Sequence, residues 1–134
     1  MKKTILLVDD EIDILDIQNR YLIQAGYDVL VAHDGKEGLE LFRKKSIDLI
    51  ITDIMMPNMD GYDFISEVQY IAPDQPFLFT TAKTSEQDKI YGLSLGADDF
   101  IVKPFSPREL VLRVNNILRR LSRGGETEQI EFGD

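Results

Sequence analysis

An α/β fold is predicted for this chain, a doubly wound parallel sheet of five strands with five helices. Three observations predict it. Short apolar runs alternate with amphipathic segments from one end of the sequence to the other. Several of the runs are continuously apolar rather than alternating, as strands are when helices cover both faces of a parallel sheet. Charged and hydroxyl side chains collect just after the runs. Strict β-α alternation gives this architecture because right-handed crossovers lay each helix on one face or the other.

The first strand runs from Thr4 to Val8. In the helix after it Ile14, Ile17, Tyr21 and Ala25 recur at helical spacing, Leu15 and Leu22 widen the stripe, and Gly26 stands where a C-terminal cap belongs. Asp28 to Ala32 form the second strand. The next helix opens at Asp34, with Glu37 three residues on, and carries Leu39 and Phe42. Leu49 to Thr52 form the third strand, and the helix starting near Asp60-Gly61 turns Phe64, Ile65, Val68 and Ile71 inward. After the fourth strand, Phe77 to Thr80, a helix follows Thr84 or Ser85, carries Ile90 and Leu93, and stops at Gly96. The fifth strand is Phe100 to Val102. Its helix has Ser106 as N-cap, Pro107 at the first helical position and Glu109 closing a capping box, then Leu110, Val111, Val114, Ile117 and Leu118.

Composition bounds the function. At 134 residues and 43% hydrophobic content, one domain with a single core is expected. The absence of cysteine excludes disulfides and thiolate metal sites and suits a reducing compartment. The apolar run near the N-terminus, Ile5 to Val8, is too short for a signal-peptide core or a membrane span, so a soluble, cytoplasmic protein without membrane contact is expected. A formal net charge of -9 would repel a phosphate backbone, so any role at DNA is indirect.

Ligands of such sheets bind beyond the carboxyl ends of the strands, where strand order reverses. There the chain sets Asp9 and Asp10, with Glu11 after them, Asp53, Thr80 and Thr81, and Lys103. An Asp after a strand often only caps the next helix, which would account for one of Asp9, Asp10 and Glu11 but not for the rest. If the order is 2-1-3-4-5, Asp9, Asp10 and Asp53 crowd together and raise one another's pKa values unless a cation offsets them. Hard oxygen ligands without His or Cys point to Mg²⁺ rather than zinc. Lys103 is the complementary charge, able to pair with an acid at rest and with a phosphoryl oxygen when one is present, and Thr81 adds a hydroxyl donor. The chain has neither G-x-G-x-x-G nor G-x-x-x-x-G-K, so no free-standing nucleotide cradle is expected. The lone His33 reads as a solvated loop residue.

The segments LVDDE (Leu7 to Glu11), DIMMPNMDG (Asp53 to Gly61), TTAK (Thr80 to Lys83) and GADDFIVKPF (Gly96 to Phe105) closely resemble the receiver domain of bacterial two-component response regulators. The resemblance covers Lys3 to about Leu121. It implies the flavodoxin-like strand order 2-1-3-4-5 and makes Asp53 the phosphoacceptor. Asp9, Asp10 and Asp53 become the carboxylates that hold Mg²⁺, with the backbone carbonyl of Met55 as a further ligand. Thr81 and Lys103 assist the chemistry, Thr81 and Phe100 form the switch pair, and the donor is a sensor histidine kinase. Phe100 departs from the tyrosine often found at its place and has no hydroxyl to offer. What the resemblance implies is a signalling switch rather than an enzyme, although one that assists its own aspartyl phosphorylation and dephosphorylation.

The stretch from Gly92 to Arg120 resembles receivers of the OmpR/PhoB class, whose effector is a winged-helix DNA-binding domain. Residues 1–121 are therefore expected to form the receiver. Residues 122–134 read as a linker and the opening strand of an effector through which alone DNA would be met, or as the tail of a stand-alone receiver. In that class a phosphorylated homodimer forms through the fourth helix, fifth strand and fifth helix. The matching positions here are Lys89 with Glu109, Asp99 with Arg113 and Asp98 with Arg120, around Ile90, Leu93 and Leu112; Ser94 and Asn115 stand where a further charged pair is usual. Two other functions compete. A phosphohydrolase of the haloacid dehalogenase kind wants D-x-D-x-T or V after its first strand, where this chain has DDEID, and a flavin or nucleotide binding module lacks its phosphate loop.

Overall fold

The computed structural model describes residues 2–82 and 86–133. The elements are β1 (Thr4–Val8), α1 (Ile12–Gln24), β2 (Asp28–Ala32), α2 (Gly35–Lys44), β3 (Leu49–Asp53), α3 (Gly61–Ile71), β4 (Phe77–Thr81), α4 (Glu86–Ser94), β5 (Asp99–Val102) and α5 (Pro107–Gly133). The five strands form one parallel sheet in the order β2-β1-β3-β4-β5, as the resemblance implied. Thr84 and Ser85, expected to open the fourth helix, lie outside the described residues.

Alternation along each strand divides the core into two layers. Leu6, Val8, Ile50, Phe77, Phe79 and Phe100 face α2, α3 and α4, packing on Leu39, Phe64, Ile65 and Val68 and, at Phe79 and Phe100, against Gly92. Ile5, Leu7, Leu49, Ile51, Leu78 and Ile101 face α1 and α5, packing on Leu15, Leu22, Leu110, Val114, Ile117 and Leu118. Both faces of the central strands are thus apolar, which is why their sequence shows no alternation.

The helix ends follow from local chemistry. Asp34 accepts from the Glu37 N–H at 2.8 Å, Asp60 from the Asp63 N–H at 2.9 Å, and Ser106 Oγ from the Glu109 N–H at 3.1 Å. The capping box at Ser106 is half formed, because the Glu109 carboxylate turns instead to Arg113, at 3.0 Å. Gly26 and Gly96 take positive φ at the ends of α1 and α4, where a Cβ would be strained.

Three expectations are corrected. In α1 the buried stripe is Leu15, Gln18 and Leu22. Ile17 and Ala25 are exposed, because the polar Gln18 sits at the centre of the core-facing arc and disguised it in the sequence. Ile14 and Ile17 line an open groove of about 430 Å³ with Pro104 and Phe105, beside Lys103. Ile71 is also exposed, since it closes the last turn of α3 after the sheet has fallen away. Finally, the backbone stays helical through Gly133, where a linker and a strand were expected: helical hydrogen bonds close locally, whereas a strand needs a neighbour to pair with.

Candidate functional site

The sheet order makes the site. β1 lies between β2 and β3, with Val8 opposite Thr52, so the residues that follow, Asp9 and Asp53, come side by side at the carboxyl edge. Asp53 is opposite Thr80 on β4, and Thr81 is opposite Val102 on β5, one residue before Lys103. Asp9 and Asp53 are only 1% and 3% exposed, while Asp10 is open to solvent. One carboxylate oxygen from each of the three lies within 4.8 Å of the others. Capping does not explain them: Glu11 takes the N-cap place of α1 and makes no side-chain cap bond, and Asp9 Oδ1 accepts from the Glu11 N–H at 3.0 Å.

Lys103 is the counter-charge. Its ammonium lies 2.8 Å from Asp9 Oδ2, 3.3 Å from Asp53 Oδ2 and 3.6 Å from Glu11 Oε1. Burial opposes its charge, but the hydrogen bond to Asp9 and the fields of Asp53 and Asp9 outweigh burial and hold its pKa above the ordinary lysine value. Asp53 moves the other way: burial pushes its pKa up from 3.8 to about 6, with Asp9 adding and Lys103 and the Ile54 N–H opposing. One lysine therefore leaves this cluster short of positive charge. The donor set is oxygen alone, which suits Mg²⁺.

The other expected residues divide. Thr81 is buried at the end of β4, and its carbonyl accepts from the Lys103 N–H at 2.7 Å. Met55 is exposed on the loop after Asp53, and the Lys103-Pro104 peptide is cis. Phe100 is turned inward at 6% exposure, edge-on to Phe79 and directly over Gly92, where a Cβ would meet its ring at 3.0 Å. His33 is exposed, 3.2 Å from Glu37.

On the α4-β5-α5 face, Lys89, Ile90, Leu93, Leu112 and Arg120 are exposed. Arg113 already has partners in its own chain, Asp99 at 2.8 Å and Glu109 at 3.0 Å. Asp98 accepts from the Phe77 N–H at 3.2 Å. Asn115 is engaged by the Tyr27 hydroxyl, and Ser94 donates to the Tyr91 carbonyl. Sequence reasoning missed two residues beneath Asp53. The buried Thr52 donates its hydroxyl to the Asp53 carbonyl at 2.9 Å, and Gly61 packs against that same oxygen. Gly61 was visible in the motif, but a close approach in space leaves no periodic trace.

This arrangement has relatives. The family model described as the response regulator receiver domain matches residues 5–115. Response regulator SaeR of Staphylococcus epidermidis is 51% identical over 127 residues, covering 95% of this chain and 55% of that protein. The chain thus spans about half the length of the curated relatives it matches. Among solved structures, the Francisella response regulator 1452 receiver domain superposes with a TM-score of 0.84 at 35% identity, over 90% of this chain and 99% of that one. A CheY-like receiver domain protein from Methanospirillum hungatei gives 0.87 at 30% identity, over 92% and 99%. Among the described residues no helix is long and apolar enough to cross a membrane. With the strand order, the acid edge and the matched segment in agreement, the chain belongs to the response regulator receiver domain family.

Proposed function

We propose that this chain is the phosphorylation-controlled switch of a two-component system and that Asp53 receives the phosphoryl group. The observation that carries the reading is the meeting of Asp53 with Lys103, Asp9 and Asp10 at neighbouring strand ends. A sensor histidine kinase is the donor. An Asp53 oxygen bonds to phosphorus as the bond from phosphorus to the donor imidazole breaks, and the electron pair leaves with that nitrogen. Lys103 holds the charge gathering on the phosphoryl oxygens. Asp9, Asp10, Asp53 and the Met55 backbone carbonyl would hold Mg²⁺, which supplies further neutralising charge when bound. The same groups assist the later hydrolysis of the acyl phosphate. Thr81 and Phe100 read the change, and the inward Phe100 is the conformer that phosphorylation favours.

Residues 1–121 are the receiver in this reading, and 122–134 lead towards a winged-helix effector that meets DNA; the greater length of the SaeR relatives supports it. A cytoplasmic setting follows. Dimerisation through α4, β5 and α5 on phosphorylation is a further part, supported by the apolar exposure of Ile90, Leu93 and Leu112 among Lys89, Asp98, Arg113 and Arg120. Arg113 must share its intrachain partners with a second copy, so each new ion pair gains little and the dimer is weak.

Intact-mass measurement with a small acyl phosphate and Mg²⁺ tests the central claim. Wild type gains one phosphoryl group and Asp53→Asn gains none. Equal labelling of the two sinks the assignment.

A further inference from the structure

We propose that Thr52 and Gly61 are positioning residues that aim the Asp53 carboxylate by fixing the peptide plane that follows it. The proposal rests on Asp53 being the phosphoacceptor and adds what orients it. The Asp53-Ile54 peptide carries the Asp53 carbonyl on one side and the Ile54 N–H on the other, and planarity makes them turn together. Both ends of that plane are held. Thr52, fully buried, donates its hydroxyl to the carbonyl oxygen at 2.9 Å. The start of α3 closes over the same oxygen, so near that a Cβ on Gly61 would lie 2.2 Å from it and 2.9 Å from the Ile54 Cα. The Gly61 N–H then donates to the Ile54 carbonyl at 2.8 Å, which locks the helix start to the loop.

At the opposite end, the Ile54 N–H has two acceptors within reach. It is shared between them, donating to Asp53 Oδ1 at 2.8 Å and to the Thr80 carbonyl at 3.2 Å. A turned peptide would leave this N–H to Thr80 alone and release Oδ1. As the plane stands, Oδ1 is tied to the backbone and Oδ2 is left towards Lys103, 3.3 Å away. The clamp therefore decides which oxygen meets the phosphodonor. Gly61 is obligatory for it because the obstacle to any side chain is backbone, which cannot swing aside. Thr52 is needed for its hydroxyl alone, since its burial would be served as well by valine.

The experiment follows phosphorylation by a small acyl phosphate at saturating Mg²⁺ in wild type, Thr52→Val, Thr52→Ser and Gly61→Ala, with the Ile54 amide resonance recorded for each. Thr52→Val is expected to fold normally, to lower the maximal rate roughly 3- to 10-fold with little change in half-saturating donor, and to shift the Ile54 amide proton. Thr52→Ser restores both. Gly61→Ala lowers the maximal rate on the order of 100-fold, the consequence of displacing a reacting group by about 1 Å. If Gly61→Ala does not fold, the threonine pair still decides. A Thr52→Val protein that is labelled at the wild-type rate, or one with a slowed rate and an unmoved Ile54 amide, overturns the clamp while leaving Asp53 as phosphoacceptor. A wild type that takes no label at Asp53 overturns the underlying reading instead.

Discussion

Replacing Asp53 with Asn should stabilise the metal-free protein near neutral pH. In the folded chain burial lifts the Asp53 pKa from 3.8 to about 6. A folded-state value above the unfolded one means that the folded chain keeps the proton longer. Stability is then fully present below pH ~4, falls as pH rises to ~6, and stays low above it. At ~1.4 kcal/mol per pH unit, the ionised carboxylate costs ~3 kcal/mol at pH 7.5. Asparagine matches the shape of the neutral acid and still offers an acceptor to the Ile54 N–H, which donates to Asp53 Oδ1 at 2.8 Å. The variant should therefore gain roughly 2–3 kcal/mol at pH 7.5, with the advantage shrinking towards zero near pH 4. Urea unfolding in EDTA across this range measures it, and saturating Mg²⁺ should narrow the gap by binding folded wild type more tightly. An Asp53→Asn protein no more stable than wild type at pH 7.5, or an advantage that persists unchanged at pH 4, would show that Lys103 already neutralises the site.

Other consequences are open to direct measurement. Lys103→Met removes the cation 2.8 Å from buried Asp9 and 3.3 Å from Asp53, and should cost ~3–5 kcal/mol by urea unfolding at pH 7.5, less with Mg²⁺ present; a loss below ~1 kcal/mol would mean that the pairs are effectively solvated. Asp10→Asn should weaken Mg²⁺ binding, followed by tyrosine fluorescence or NMR shifts, without moving Tm, because Asp10 is exposed and contributes charge rather than burial; unchanged affinity counts against the three-carboxylate site. In sedimentation, beryllofluoride with Mg²⁺ should shift wild type from monomer towards dimer and leave Arg113→Glu behind, and equal dimerisation of the two would move the interface to another face.

How much of this was legible in the sequence varies with the range of the cause. The strands were legible because a doubly covered sheet demands apolar side chains on both faces, and Leu49, Ile50 and Ile51 say so without any partner in view. Caps were legible at Asp34, Asp60 and Ser106, where the donor lies three residues on. The meeting of Asp9 with Asp53 required strand order as well, which motif resemblance supplied and periodicity did not. The α1 stripe was misplaced because burial of Gln18 is decided by where α5 and the sheet sit. Gly61 and Thr52 went unread because the atom they share, the Asp53 carbonyl, is identified only once α3 has docked over β3.

The same geometry suggests how a local charge could reach α4 and β5. Lys103 is shared between Asp9 and Asp53 through its ammonium and tied to Thr81 through its backbone, whose N–H donates to the Thr81 carbonyl at 2.7 Å. A phosphoryl group on Asp53 brings strong acceptor oxygens that compete with Asp9 for that ammonium. Any movement of Lys103 is felt where β4 and β5 end, and Phe100, three residues earlier, rests on Gly92 of α4 so closely that a Cβ there would lie 3.0 Å from its ring. The interior of the sheet is close-packed and resists small displacements. A displacement at the strand ends is therefore expected to pass to α4 through Phe100 and Gly92, on the β4-α4-β5 side rather than through the core.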